Sequence, residues 1–396
     1  MKDYKASYKI LKPSLEEKGI NVSKVKKKLK TLKIETPSWG YSDSGTRFAI
    51  FKQKGAAKSV KEKIQDAAEV HKVTGICPSI ALHIPWDITD NWNALLEYSL
   101  SLGIRPGAIN PNLFQDQDYK LGSLCNPDKK VRGKAINHVL ECIDIAKTLK
   151  SKDISLWLGD GTNYPGQDDI RERKQRLEEG LKEIYKNLDK DMRILIEYKF
   201  FEPSFYHTDI PDWGTAHNLC LKLGNRAMVL VDLGHHALGT NIEQIVAYLL
   251  DEEKLGGFHF NNKKYADDDL TVDSINPYEF FLIFNELVSA ENNGIKANVA
   301  YMIDQCHNLK PKIEEMIQSV ENIHRIYTKA LIVDRKSLKK YQQENDIIMA
   351  EKMLTEAFET DVTPLLLKTR EEMNVPLKPL EFFRESGYLE KIQSQR

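Results

Sequence analysis

The chain has 396 residues, 41% of them hydrophobic and 29% charged, which is enough apolar material for a large buried core and far from a disordered composition. Its 57 Lys and Arg stand against 58 Asp and Glu, so no whole-molecule field draws it to nucleic acid or to an anionic membrane. Five scattered cysteines without a C-x-x-C pair, an N-terminus without an apolar leader core and the lack of any run of about 20 apolar residues point away from a disulfide scaffold, export and a membrane span, and predict a cytoplasmic protein.

Near the start, Val22, Val25, Leu29 and Leu32 recur at three- and four-residue spacings, which places them on one helical stripe. Lys24, Lys26, Lys27, Lys28 and Lys30 cover the rest of that helix, and the run reads as a solvated face rather than an anion-binding patch. Residues 1–33 are thus an N-terminal helical segment. Eight short apolar runs follow, at 34–39, 76–84, 104–109, 154–158, 192–198, 227–233, 257–260 and 297–303. Each leads into a polar, Gly- or Pro-rich stretch and then a helical pattern. Several lack strict alternation, as expected of parallel strands buried on both faces. Eight strand-plus-helix units predict an α/β protein built on a closed (β/α)8 TIM barrel over residues 34–310, although a doubly wound sheet produces a similar alternation. From 311 to 396 the pattern turns helical, beginning with Ile313, Met316, Ile317, Val320 and Ile323, and Pro364 and Pro376 break it. This is a C-terminal helical extension suited to packing across a barrel or a partner subunit.

Four of the later strands end in a potential metal ligand: Glu197 in ILIEYK, Asp232 in LVDLGHH, His259 in GFHFNN and Asp304 in MIDQCHN. Singly, each has an ordinary explanation, since an acid after a strand is usually a helix N-cap and a buried imidazole is usually just hydrogen-bonded. Their recurrence is what counts, because barrel strands converge at their C-terminal ends, where active sites of this fold lie. Three carboxylates and an imidazole suit Mn²⁺, Mg²⁺ or Co²⁺ better than a thiolate-loving ion. His235 and His236, and the triplet Asp267, Asp268 and Asp269, offer ligands for a second ion, or else a hydrogen-bonded pair and a solvated turn.

Lys199 lies two residues past Glu197, so in an extended strand both project to one side and its ammonium reaches the same pocket. There it can steady a developing alkoxide, or merely pair with an acid. The segment from Trp157 to Gln167 joins a strand end to a loop dense in hydrogen-bonding side chains, a surface that polyols favour. His83 and Trp86 in LHIPWD, and Trp39 and Phe48 around the loop 43–47, add imidazole and aromatic rings to that rim, or else pack in the core.

In chain order, LHIPWD, INPNLFQD, LWLGDGTNYPGQ, IEYKFFEP, VDLGHH, GFHFNNKKYADDD and DQCHN resemble L-rhamnose isomerase of the broad-specificity bacterial type, a relative of xylose isomerase. The likeness runs from about Trp39 to Pro311. It implies two divalent ions at the barrel mouth, usually Mn²⁺, with Co²⁺, Mg²⁺ or Zn²⁺ as alternatives. Glu197, Asp232, His259 and Asp304 would hold a structural ion, and Glu197, His235, Asp267 and Asp269 a catalytic one, with Glu197 bridging. Asp304, His83 and Lys199 are the residues it assigns to catalysis, His83 at ring opening or the ring oxygen and Lys199 near the carbonyl. Trp86, Phe114, Trp157 and Lys199 would contact the sugar. In this tetrameric family an aromatic from a neighbouring subunit closes the site, and Phe48 matches it, so a homotetramer is implied. Cys306, beside Asp304, departs from the small hydroxyl expected there.

The implied reaction interconverts L-rhamnose and L-rhamnulose, and other aldoses with their ketoses, by a metal-assisted hydride shift between C1 and C2. An epimerase of the same barrel class would need two metal-bound glutamates, and only Glu197 is so placed. A barrel nuclease for abasic DNA would need a basic groove, against which the charge balance argues. A sugar-binding or scaffold protein would need no ligand set at all.

Overall fold

Short apolar runs without alternation can bury both faces only inside a sheet covered by helices, and that is where this chain puts them. The computed structural model describes residues 4–45, 50–202, 205–306 and 309–396. Eight parallel strands form the barrel: β1 (Glu35–Pro37), β2 (Ser79–Ile84), β3 (Arg105–Pro111), β4 (Asp153–Leu156), β5 (Arg193–Glu197), β6 (Ala227–Asp232), β7 (Leu255–Phe260) and β8 (Ala300–Ile303). Each predicted run coincides with one of them. Pairing of Glu35 on β1 with Met302 on β8 closes the ring, which settles the barrel against the doubly wound sheet.

Two helices, α1 (Tyr4–Glu17) and α2 (Val22–Thr31), precede the barrel. Eight more alternate with its strands: α3 (Val60–Thr74), α4 (Trp92–Ser101), α5 (Lys129–Leu149), α6 (Ile170–Lys186), α7 (Trp213–Leu223), α8 (Ile242–Asp251), α9 (Pro277–Asn292) and α10 (Lys312–Leu331). After α10 come α11 (Arg335–Glu344), α12 (Ile347–Glu359), α13 (Thr363–Met373), α14 (Pro379–Glu385) and α15 (Tyr388–Gln395). The helix starts use dedicated caps: side chains of Asp128, Asp169, Asp212 and Asn276 accept from the first-turn amides of α5, α6, α7 and α9. None of the four acid or imidazole strand endings is an N-cap.

The large core lies between the outer faces of the strands and the helices, while Ala81, Ala108, Leu195, Leu230 and Met302 fill the barrel interior. Beneath that layer sits a half-buried acid. Glu35 accepts at Oε1 from the Ala108 amide at 2.9 Å, and its carboxylate fills the space over Gly107, where an added Cβ would lie 1.5 Å from Oε2. Burial pushes this carboxyl up to about 7.

The lysine-rich face of α2 is less solvated than expected. Lys26 and Lys30 grip Glu372 on α13 at 2.5 and 2.6 Å, and Lys28 pairs with Glu291 at the end of α9. These contacts, with the buried stripe of Val22, Val25 and Leu29, fasten the two termini across the base of the barrel. Among the described residues, no helix is long and apolar enough to cross a membrane.

Candidate metal centre

β5 and β6 end at Glu197 and Asp232, His259 is the penultimate residue of β7, and Asp304 follows β8 directly. Because these strands are parallel, all four side chains reach one face of the barrel, and their ligand atoms lie within 4.8 Å of one another. His259 Nδ1 is 3.2 Å from Glu197 Oε1, 3.4 Å from Asp304 Oδ2 and 3.7 Å from Asp232 Oδ2. A second group joins Asp232, His235 and Asp267. His235 Nδ1 lies 3.2 Å from the same Glu197 oxygen, and its Nε2 lies 3.5 Å from Asp267 Oδ2. Asp232 therefore belongs to both groups, and Glu197 Oε1 lies beside the imidazole of each. The crowding explains Gly234: a Cβ there would come within 2.9 Å of Asp267 Oδ1 and 3.1 Å of Asp232 Oδ1.

The two sequence clusters each divide. His235 enters the centre, whereas His236 turns away to bond the Tyr198 hydroxyl at 2.6 Å through Nε2. Asp267 and Asp269 line the cavity, whereas Asp268 accepts from the Lys264 and Tyr265 amides and ties its own turn. Asp269 sits at φ +47°, a left-handed conformation that Asp tolerates better than most residues.

The charges show what the arrangement lacks. Burial pushes Asp232 up to about 7 and raises Asp304, and it holds Asp269 well above the usual range, helped by the neighbouring acids Asp267, Asp304 and Asp232. Burial acts on Glu197 and Asp267 as well, but His259 and His235 outweigh it for Glu197, and His235 with Lys199 outweighs it for Asp267, so both lie low. The imidazoles respond in kind. Burial alone would lower them, yet the surrounding carboxylates raise His235 to about 9 and His259 to about 10. Five acids, Glu197 and Asp232 buried and the other three partly so, form with two imidazoles a site short of positive charge, in which protons stand where a divalent cation fits. The donor set is oxygen and imidazole, and Asp267 Oδ1 is buried without a hydrogen-bond partner among the described residues. That combination fits Mn²⁺, Mg²⁺ or Co²⁺. Outer contacts fix the ligands: Asn261 Nδ2 donates to both Asp232 oxygens at 2.9 and 3.1 Å, and Trp39 Nε1 donates to Asp304 Oδ1 at 2.7 Å.

Across a cavity of about 650 Å³ stands an aromatic wall. His83 stacks on Trp86 at 3.8 Å between ring centres, and Phe114 meets His83 and Trp157 edge-on at 5.8 and 4.8 Å. Burial, with Lys63 nearby, pushes His83 down to about 3, so its imidazole is neutral at ordinary pH. Lys199 lines the same cavity, donates to Asp267 Oδ2 at 2.8 Å and Glu202 Oε2 at 2.6 Å, and lies 5.1 Å over the Trp157 ring. Its acid partners outweigh burial and hold it above the usual lysine range. Cys306 lines the cavity too, its Sγ 3.9 Å from the Trp39 carbonyl. Phe48 lies outside the described residues.

Polar cavity residues given no role by the sequence reading include Asn110, although it stands in INPNLFQD, Lys63 and Ser155. The last was within reach, since it precedes Trp157 by two residues and strand alternation turns both inward. A further ligand-like group, Cys125, Asp160 and Asp209, is already occupied by protein. Arg173 donates to Asp209 Oδ2 at 2.6 Å, and Asp160 accepts from the Ser123 and Cys125 amides at 2.7 and 2.9 Å.

Residues 84–282 match the family described as the xylose isomerase-like TIM barrel. Two relatives are similar over nearly their full length. One is a probable sugar isomerase of Rhizobium meliloti, 44% identical over 98% of this chain and 92% of that one. The other is a probable sugar isomerase of Mesorhizobium japonicum, 41% identical over 100% and 93%. Among solved structures, an L-ribulose 3-epimerase shares the fold with a TM-score of 0.54 at 13% identity, covering 80% of this chain and 98% of that one. The chain belongs to the xylose isomerase-like TIM barrel family.

Proposed function

We propose that this member of the xylose isomerase-like barrel family is a metal-dependent aldose–ketose isomerase that interconverts L-rhamnose and L-rhamnulose, and other aldoses with their ketoses, by moving hydrogen between C1 and C2. One observation carries the reading: two acid–imidazole groups share Asp232, have Glu197 Oε1 beside both imidazoles, and face a wall of aromatic rings across a single cavity. Glu197, Asp232, His259 and Asp304 would hold one divalent ion, and Glu197, His235, Asp267 and Asp269 a second, with Mn²⁺ the first choice for both. When bound, such ions supply Lewis acidity to two neighbouring sugar oxygens.

The chain's own residues do the remainder. Lys199, fixed between Asp267 and Glu202, keeps a positive charge where a carbonyl oxygen gathers electron density. His83, neutral and with a buried Nδ1 that has no hydrogen-bond partner among the described residues, can accept a hydrogen bond from a ring hydroxyl as the sugar opens. Trp86, Phe114 and Trp157 cover the C–H face of the sugar and exclude water. The relatives in Rhizobium and Mesorhizobium, probable sugar isomerases, support the reaction class. A homotetramer in the cytoplasm, with Phe48 reaching a neighbouring site, completes the proposal.

An epimerase reading draws on the shared barrel, but the acids here are one glutamate and four aspartates rather than a facing pair of glutamates. The test is to strip metal exhaustively, reload with Mn²⁺, Co²⁺ or Ca²⁺, and follow aldose and ketose products from a panel of sugars. Activity lost on chelation and restored by Mn²⁺ or Co²⁺ better than by Ca²⁺, with aldose turned into ketose, is expected, because Ca²⁺ prefers more oxygens at longer bonds. Full turnover without metal would sink the proposal. Ketose converted only to its C3 epimer would replace it with the epimerase.

A further inference from the structure

We infer that Asn110 on β3 and Ser155 on β4 form a polar shelf that selects among sugars by hydrogen-bonding a hydroxyl at the floor of the cavity, one step below Glu197. The inference rests on the isomerase reading above and extends it to two residues that the reading does not use. Parallel pairing sets their height. His83 on β2 pairs with Asn110, and Ile109 pairs with Ile154, so Asn110 and Ser155 are the next step of the same ladder. Ser155 in turn pairs with Leu195, one inward-facing position below Glu197. The shelf therefore lies on β4 beside the Glu197 strand and on β3 next to it, one step deeper than Glu197, at the floor of the cavity both residues line.

The hydrogen bonding at this floor is incomplete. Ser155 is 1% exposed, and its Oγ has no hydrogen-bond partner among the described residues. The same holds for Trp157 Nε1, two residues on and facing the same side, and for His83 Nδ1. Asn110 is held by its amide, which donates from Nδ2 to the Leu82 carbonyl at 3.2 Å and leaves the amide oxygen as an acceptor. Buried polar atoms are almost always satisfied, and the interior layer around them, Leu195 and Leu230 among it, offers no partner. Three orphan polar atoms and one oriented amide around a single cavity call for a guest with several hydroxyls in a row. A polyhydroxy aldehyde or ketone has that pattern. With its carbonyl end toward the acids, its distal hydroxyls meet Ser155 and Asn110.

The test pairs variants with sugars that lack one hydroxyl. Wild type, Ser155→Ala and Asn110→Ala, each loaded with Mn²⁺, are assayed for kcat and KM on an accepted aldohexose and on its 3-, 4-, 5- and 6-deoxy analogues. The wild type should lose roughly tenfold in kcat/KM with one analogue, the worth of one hydrogen bond. Ser155→Ala should lose a similar factor with the parent sugar, chiefly in KM, and lose nothing further with that analogue. Ser155→Thr, which keeps the hydroxyl, should restore part of the difference. Metal content and melting temperature, unchanged across the set, separate contact from misfolding, and Asn110→Ala provides an independent arm should Ser155→Ala fold poorly. Equal discrimination by the variants and the wild type would overturn the shelf, as would a loss uniform across every analogue. A wild type that turns over no sugar with Mn²⁺ present would instead remove the isomerase reading, and the shelf with it.

Discussion

Glu197 meets both imidazoles of the centre through one oxygen, whereas Asp269 reaches the cavity from a loop beyond β7. This difference in position separates their effects. Glu197→Gln should cost both metals and some stability, because four acids would then face one another with less cation between them. Asp269→Asn should keep the first metal and sugar binding yet lower kcat by about 10²-fold, as when one charge-stabilising element is removed from a reacting centre. Metal content by mass spectrometry read beside kcat decides it: equal metal loss in both variants, or unimpaired turnover in Asp269→Asn, would return the acid triplet to a plain turn. Glu35 obeys different rules, since it stands among backbone amides at the barrel base. Its folded value of about 7 lies above that of an unfolded glutamate, so folding favours the protonated form. Stability from this group is complete below the unfolded value and is lost as pH rises through 7. Glu35→Gln should accordingly melt above the wild type at pH 8, by up to about 3 kcal/mol, with the gap closing toward pH 4. A gap independent of pH would show that folding leaves the carboxyl at its ordinary value. Gly107→Ala, which sets a methyl on that carboxylate, should be severely destabilised in the Glu35 background and recover when Glu35→Ala is added.

At the level of strands and helices, the barrel is legible because doubly buried parallel strands read as unbroken apolar runs and because each is followed by turn residues and a capped helix. The clustering of four strand ends was legible for a further reason: Glu197, Asp232, His259 and Asp304, the candidate ligands, stand at strand ends without capping a helix, so their chemistry is left over once the fold is accounted for. What stays hidden are contacts between residues remote in sequence. Nothing local tells that Lys26 and Lys30 meet Glu372, that Trp39 donates to Asp304, or that Arg173 joins three mouth loops. Helical periodicity alone also left the stretch between Ile323 and Pro364 undivided, where Asn345 at φ +55° ends α11 and a new helix starts at Ile347. The eighth barrel helix, α10, falls beyond residue 310 although it completes the strand–helix alternation. Arg173 allows a test at this scale. Fully buried on α6, it binds Asp209 through Nε and Nη2 at 3.0 and 2.6 Å, Asp168 at 3.1 Å, and the Leu121 and Gly161 carbonyls. Lysine cannot reproduce that fork. Arg173→Lys should lower unfolding free energy by roughly 2–4 kcal/mol, since it leaves acids buried with a poor partner, and should raise KM as the loops carrying Trp157 and Lys199 loosen. Denaturant titration measures the first effect, and a loss below about 0.5 kcal/mol would show that the clamp is dispensable.

The whole molecule carries its most conspicuous apolar surface around the barrel mouth. Ile50 and Phe51 follow β1, Trp86 follows β2, Phe200, Phe201 and Tyr206 follow β5, and Tyr265 follows β7, all exposed by more than a third. Single exposed apolar side chains are unremarkable, but so many on the loops of one face offer a surface that the proposed homotetramer would cover. Their position would give that assembly a catalytic consequence, because Ile50 and Trp86 also line the cavity, and a neighbouring subunit laid over them would shut out water. Closed symmetric assembly is the ordinary outcome for a homo-oligomer, and pairing mouth to mouth would shelter two sites at once. Phe51→Glu combined with Phe201→Glu inserts charge into that face without touching a ligand of the proposed ions. The double variant should therefore keep its metal and its melting behaviour as a folded chain, yet drop in light-scattering mass from the proposed tetramer to a smaller species and lose at least about tenfold in kcat/KM. A wild type that scatters as a monomer while fully active would refute the assembly, and a double variant that dissociates without losing activity would show that each barrel closes its own site.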